Sequence, residues 1–122
     1  MTQSLTSAFK CAAAGIAHAC KTQRNFKIEL GFALAAIGLG AAFSIDGTQW
    51  AVIAVCIGVV LAGECVNTAI EAIVDLVSPE YHELAKHAKD CAAGAVLVMS
   101  FAALFVAAFI FLPHIIGLFM HS

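Results

Sequence analysis

Apolar positions along this chain change their period once and then stop alternating. Over residues 3–27, Leu5, Phe9, Ala12, Ile16 and Cys20 recur at steps of three and four, while Lys10, Lys21 and Arg24 collect on the opposite side. That period predicts an amphipathic helix. Such a helix can lie in the headgroup layer with its cations in the polar zone, or pack against its own bundle. Beyond it the sequence becomes almost continuously apolar. Leu30 to Ile45 carries no charge, and Ile28 extends the run past Glu29, which predicts a first membrane span over 28–45. Its glycines and alanines suit close helix contact. Asp46-Gly47 is a turn signal, and Trp50 is an interface anchor.

A second uncharged run occupies Gly47 to Gly63. Nothing breaks its helical pattern until Ser78-Pro79, so one helix over 48–77 is expected to project beyond the hydrocarbon. Residues 78–90 form a short polar loop, from whose start a new helix can run through Lys89 into a third span over 91–118. Cys91 to Leu112 is uncharged and long enough to cross, and Pro113 interrupts the pattern.

Composition turns this pattern into a fold class. Of 122 residues, 62% are hydrophobic and 11% charged. Soluble domains carry about 25% charged residues, so this chain has too few to cover a water-facing surface. The prediction is a single-domain, all-α membrane protein with an N-terminal surface helix and three spans. A net charge of only −2 gives no sign of a nucleic-acid partner, and none is expected. Five cysteines, odd in number and without C-x-x-C spacing, suggest neither a disulfide framework nor a zinc site. All six Lys and Arg lie in the first helix or the 78–90 loop. The positive-inside rule places both of those in the cytoplasm and the 46–49 turn outside.

The chemistry is concentrated where lipid and water meet. Glu64, Asn67, Glu71 and Asp75 fall within an arc of roughly 80° on one helix. Glu64 and Glu71 are separated by roughly 10 Å of rise, and Glu71 and Asp75 by roughly 6 Å. Acids on a membrane helix face a wet cavity, a cation or partner groups. Assembly is one use for them, since polar groups pair across helices. Phosphoryl transfer is another: it needs metal on the phosphate oxygens, positive charge, and a group that takes the proton of the attacking hydroxyl. Glu71 suits magnesium, Lys89 suits phosphate, and Glu64, nearest the hydrocarbon, suits the base. Lys86 reads as a snorkelling cation. His18, His82, His87, His114 and His121 have no paired ligand spacing. The chain contains no phosphate-binding loop ending in Gly-Lys-Ser/Thr and no kinase glycine-rich loop.

The segments E-C-V-N-T-A-I-E-A-I-V-D and P-E-Y-H-E-L-A-K-H-A-K-D-C-A-A-G-A-V-L resemble the prokaryotic diacylglycerol kinase family, which includes undecaprenol kinases. The resemblance covers essentially the whole chain. It implies a homotrimer in the cell membrane, active sites between subunits, and transfer of the γ-phosphoryl of MgATP to a lipid hydroxyl. Position by position it implies Glu64 as catalytic base with Asn67 as its partner, and Glu71 as a metal ligand. Asp75, Glu80, Tyr81, His82, Lys89 and Asp90, together with Glu71, become nucleotide-contacting positions. One place departs. Where the family usually has a second metal-binding glutamate, this chain has Gln23, and Glu29, about one and a half turns on, is the residue placed to compensate.

The N-T-A-I-E and L-A-K-H-A-K-D details resemble the undecaprenol kinase branch more than the diacylglycerol branch. Diacylglycerol as acceptor is the alternative. A catalytically weak membrane protein with a structural or regulatory role is a reading of another class, motivated by Gln23. An ion conductor fits poorly, because the acids cluster at one face and do not span the bilayer.

Overall fold

The computed structural model describes residues 4–121, all of which fold into helices or short connections. Helix α1 covers Leu5–Thr22, α2 Arg24–Ala42, α3 Gly47–Val77 and α4 Glu83–Met120. The last three are long and apolar enough to cross a membrane. The four-helix architecture therefore matches the expected fold class.

The boundaries differ from expectation in instructive ways. The first helix stops at Thr22 rather than 27; its expected start at residue 3 lies outside the described residues. Gln23 is extended (φ −108°, ψ 116°), caps α1 through its N–H to the Ala19 carbonyl, and precedes α2 directly. The first span thus begins four residues earlier than Ile28, and its helix takes in Arg24 and Lys27. At the other end, a helix does run through Lys89 into the third span as expected, but α4 starts at Glu83 rather than at Ser78-Pro79, and the His82 ring accepts from the Leu84 N–H and caps it. Pro113 does not end α4, which runs to Met120.

The α2–α3 corner is tightly specified. Ser44 has φ 51°, the left-handed conformation that usually selects glycine. It permits the Ser44 N–H to reach the Ala41 carbonyl and the Ile45 N–H to reach the Gly40 carbonyl, closing the end of α2. Asp46, which the sequence marks as a turn, caps α3. Its side chain accepts from the Gln49 N–H while the Gln49 side chain accepts from the Asp46 N–H.

Packing is densest between α3 and α4, with α2 lying along α3 and touching α4 sparsely. Near the corner, Ile45, Ile53, Ile110 and Phe111 form the buried core, flanked by Trp50 and Phe43. Gly40 makes room for the Trp50 ring, which a Cβ there would meet at 2.7 Å. Phe43 stacks on His114 with ring centroids 5.2 Å apart. On α1, Ala19 is buried, while Leu5, Phe9 and Ile16 are exposed. The apolar stripe of α1 is therefore not consumed by its own bundle.

Candidate active site

The interior at the α1 end is polar. Glu64 is 1% exposed, and Asn67 and Thr68, three and four residues on, are also buried. No other buried side chain among the described residues is as large and as fully enclosed as Glu64. The Thr68 hydroxyl donates to the Glu64 carbonyl at 2.8 Å, which occupies the hydroxyl within the helix. Glu64 Oε1 and Asn67 Oδ1 are buried without a hydrogen-bond partner. Buried carboxylate and amide oxygens normally find donors, so two orphaned acceptors side by side mark a place built to receive something.

Glu71 is the junction. Its Oε1 accepts from Asn67 Nδ2 and its Oε2 from Gln23 Nε2, each at 3.3 Å. Gln23 reaches it because the backbone breaks there: the extended residue between α1 and α2 aims its amide across to α3. Gln23 and Glu71, expected from the sequence to share a metal, are thus brought together, and Asn67 links Glu71 back towards Glu64.

Exposure rises along the row, from buried Glu64 through half-buried Glu71 to exposed Asp75. Asp75 pairs with Lys89 of α4 at 2.5 Å, and Lys86 with Asp90 at 2.5 Å. These groups sit before the uncharged run that starts at Cys91. There the hydrogen bond that Lys89 donates to Asp75 holds the Lys89 ammonium above its ordinary pKa, and the one that Lys86 donates to Asp90 holds the Asp90 carboxyl below its own. Glu80 and Tyr81 are exposed in the α3–α4 connection, Tyr81 by 80%, and His82 caps α4. Among the described residues, none of these three bonds to the acidic row. Glu29 Oε1 accepts from the Ser100 hydroxyl of α4 at 2.9 Å.

Thr68 and Ser100 escaped the sequence reading. Ser100 carried a signal, being a hydroxyl within the long apolar run of α4.

The donor set fits magnesium that arrives with phosphate better than a resident metal. Among the described residues no three His, Cys, Asp or Glu side chains converge on a common point. Magnesium keeps several waters and is commonly held by one or two carboxylates together with substrate phosphates. Glu71, with the side-chain amide of Gln23 donating to it and the orphaned Asn67 Oδ1 one turn before it on α3, meets that description.

Residues 10–111 match the family described as prokaryotic diacylglycerol kinase. A diacylglycerol kinase of Synechocystis is 43% identical over 115 residues, covering 93% of this chain and 66% of that protein. An undecaprenol kinase of Bacillus subtilis is 38% identical over 107 residues, 88% of this chain and 87% of its own length. A diacylglycerol kinase of Escherichia coli is 32% identical over 84 residues, 69% of each.

Proposed function

The chain belongs to the prokaryotic diacylglycerol kinase family of lipid kinases, and from that premise we propose that it transfers the γ-phosphoryl group of MgATP to a lipid alcohol at the acidic end of α3. The observation that carries the reading is the wholly buried Glu64 with its unpartnered Oε1, on the same helix as Asn67, whose amide donates to Glu71. A lipid hydroxyl approaching from the hydrocarbon meets Glu64 first. Glu64 takes the hydroxyl proton as the oxygen attacks the γ-phosphorus; the bond to the bridging oxygen breaks and ADP leaves.

Glu71 and Gln23 would hold the magnesium, with Asn67 orienting Glu71. Bound magnesium supplies charge neutralisation on the phosphate oxygens. Lys89, set by Asp75, lies where it meets phosphate, and Asp90, Glu80, Tyr81 and His82 line the approach of the nucleotide. In the membrane, the basic α1 and the α3–α4 connection face the cytoplasm, where ATP is found. Three copies assemble, and each site is completed by a neighbouring subunit.

Undecaprenol is the acceptor favoured by the N-T-A-I-E and L-A-K-H-A-K-D details, giving undecaprenyl phosphate. Diacylglycerol, giving phosphatidic acid, is the second reading, supported by the 43% identity to the Synechocystis enzyme. A catalytically weak structural role draws support from the neutral Gln23 alone. Phosphate transfer from labelled ATP in mixed micelles, with undecaprenol and a diacylglycerol offered side by side, separates these readings. Magnesium-dependent labelling of undecaprenol in excess is expected. Preferential labelling of diacylglycerol would move the acceptor, and labelling of neither would overturn the kinase reading.

A further inference from the structure

Two glycines, Gly40 and Gly63, have a neighbouring side chain pressed into the space where a Cβ would stand; the other described glycines have none there. Gly40 belongs to the corner. Gly63 immediately precedes Glu64. A Cβ at Gly63 would overlap the methyl of Met99 on α4, and would stand 3.0 Å from its sulfur and 3.9 Å from Val96 Cγ2. Val96, one turn before Met99, is buried. The missing Cβ is therefore a notch in α3, and the Met99 thioether fills it. A small residue at a crossing of membrane helices lets them approach closely, and an unbranched thioether suits an irregular gap. The next residue of α4, Ser100, bonds to Glu29 of α2. One turn of α4, Val96 to Ser100, thus touches both other spans. Neither Gly63 nor Met99 lines the apolar cavity between the three spans, so their contact is separate from it.

We propose that Met99 is a positioning residue for Glu64: its thioether, seated in the notch at Gly63, fixes the depth and rotation of α3 one residue before the carboxylate and so sets where that carboxylate meets the acceptor hydroxyl. Glu64 Oε1 has no hydrogen-bond partner to aim it. The carboxylate is placed instead by the helix that carries it, and the Met99 contact is the close approach of α4 to that helix at this level. A base works only within hydrogen-bond reach of the proton it takes, and a misplacement of about 1 Å can cost on the order of 10²-fold. Met99 touches no reacting atom; it acts through the backbone of α3. The inference rests on the lipid-kinase reading for the role of Glu64 as base.

The test compares the full chain in mixed micelles, with undecaprenol and with a diacylglycerol, as wild type, Gly63→Ala, Met99→Ala and the double variant carrying both changes. The new Cβ of Gly63→Ala meets the flexible end of a side chain and not backbone, so helix content should persist while the thioether is expelled. Its kcat should fall about 10–100-fold with the KM for ATP and for lipid unchanged, and that of Met99→Ala should fall less. In the double variant the added methyl on α3 takes the place of the lost one on α4, so kcat should return to within about threefold of wild type, a non-additivity that marks a shared contact. A second readout is the infrared band of the Glu64 carboxyl group, identified by its loss in Glu64→Gln. It should shift in both single variants and return in the double. Unchanged kcat in both single variants, losses that multiply in the double variant, or a Glu64 band unmoved in both single variants overturns the proposal. Should the alanine variants lose helix content, Met99→Leu, which keeps apolar volume but not reach, carries the test: lower kcat at an unaltered thermal midpoint is expected, and full kcat overturns it. If the wild type phosphorylates neither lipid, the kinase reading fails and the infrared band alone decides whether Met99 places Glu64: a band shifted and restored supports it, and an unmoved band overturns it.

Discussion

At the α2–α3 corner the interior is Ile45, Ile53, Ile110 and Phe111, wedged by Trp50 against Gly40; at the α1 end it is Glu64, Asn67 and Thr68, with two oxygens unpartnered. The two ends are joined by the same three long helices, so the difference is one of side chains and not of architecture. The corner is closed by every available local device: a left-handed turn, paired backbone caps and a reciprocal side-chain cap. The acidic end spends its polar groups on one another and leaves acceptors over. Stability and chemistry are thereby separated along the length of one helix, α3. A buried acid is tolerable because the far end of the bundle supplies the packing that holds α3 in register.

This contrast can be broken from either side, and the largest effect is expected at the acidic end. Glu64→Gln keeps the size of the side chain and removes the proposed base, so transfer should fall by about 10²–10⁴-fold with helix content and thermal midpoint preserved. Full turnover in that variant would assign the proton elsewhere. Gln23→Glu adds a second carboxylate beside Glu71 and should lower the magnesium concentration needed for half-maximal rate several-fold; an unchanged requirement means Gln23 is not a ligand. At the corner the readout reverses. Gly40→Val drives a branched side chain into the Trp50 ring and should cost about 1–3 kcal/mol in detergent unfolding, with the magnesium requirement untouched. The smallest change is Ser44→Gly, which relieves a left-handed serine and should stabilise the chain by about 1 kcal/mol with unaltered turnover.

The two ends were also unequally legible in the sequence. Uncharged runs of span length and the Ser78-Pro79 break marked three long helices, because a bilayer admits few other solutions. The spacing of Glu64, Asn67 and Glu71 gave their common face, since helical angle is arithmetic. The break at Gln23 was not visible. Thr22-Gln23-Arg24 contains neither Gly nor Pro, and the bend there is stabilised by a contact with Glu71, 48 residues away. Ser44 was equally hidden, as nothing in its type announces a positive φ. Glu29, about one and a half turns from Gln23, was expected to compensate for it; only the position of α4 determines that it meets Ser100.

The central claim is that the row from Glu64 to Asp75 receives a metal-bound nucleotide at the edge of the hydrocarbon. It is tested most directly by electron paramagnetic resonance of Mn2+, substituted for magnesium, titrated into the micellar protein with a non-hydrolysable ATP analogue. The account predicts a bound Mn2+ signal that is lost in Glu71→Ala and retained in Gly40→Val. Equal binding in wild type and Glu71→Ala would contradict it.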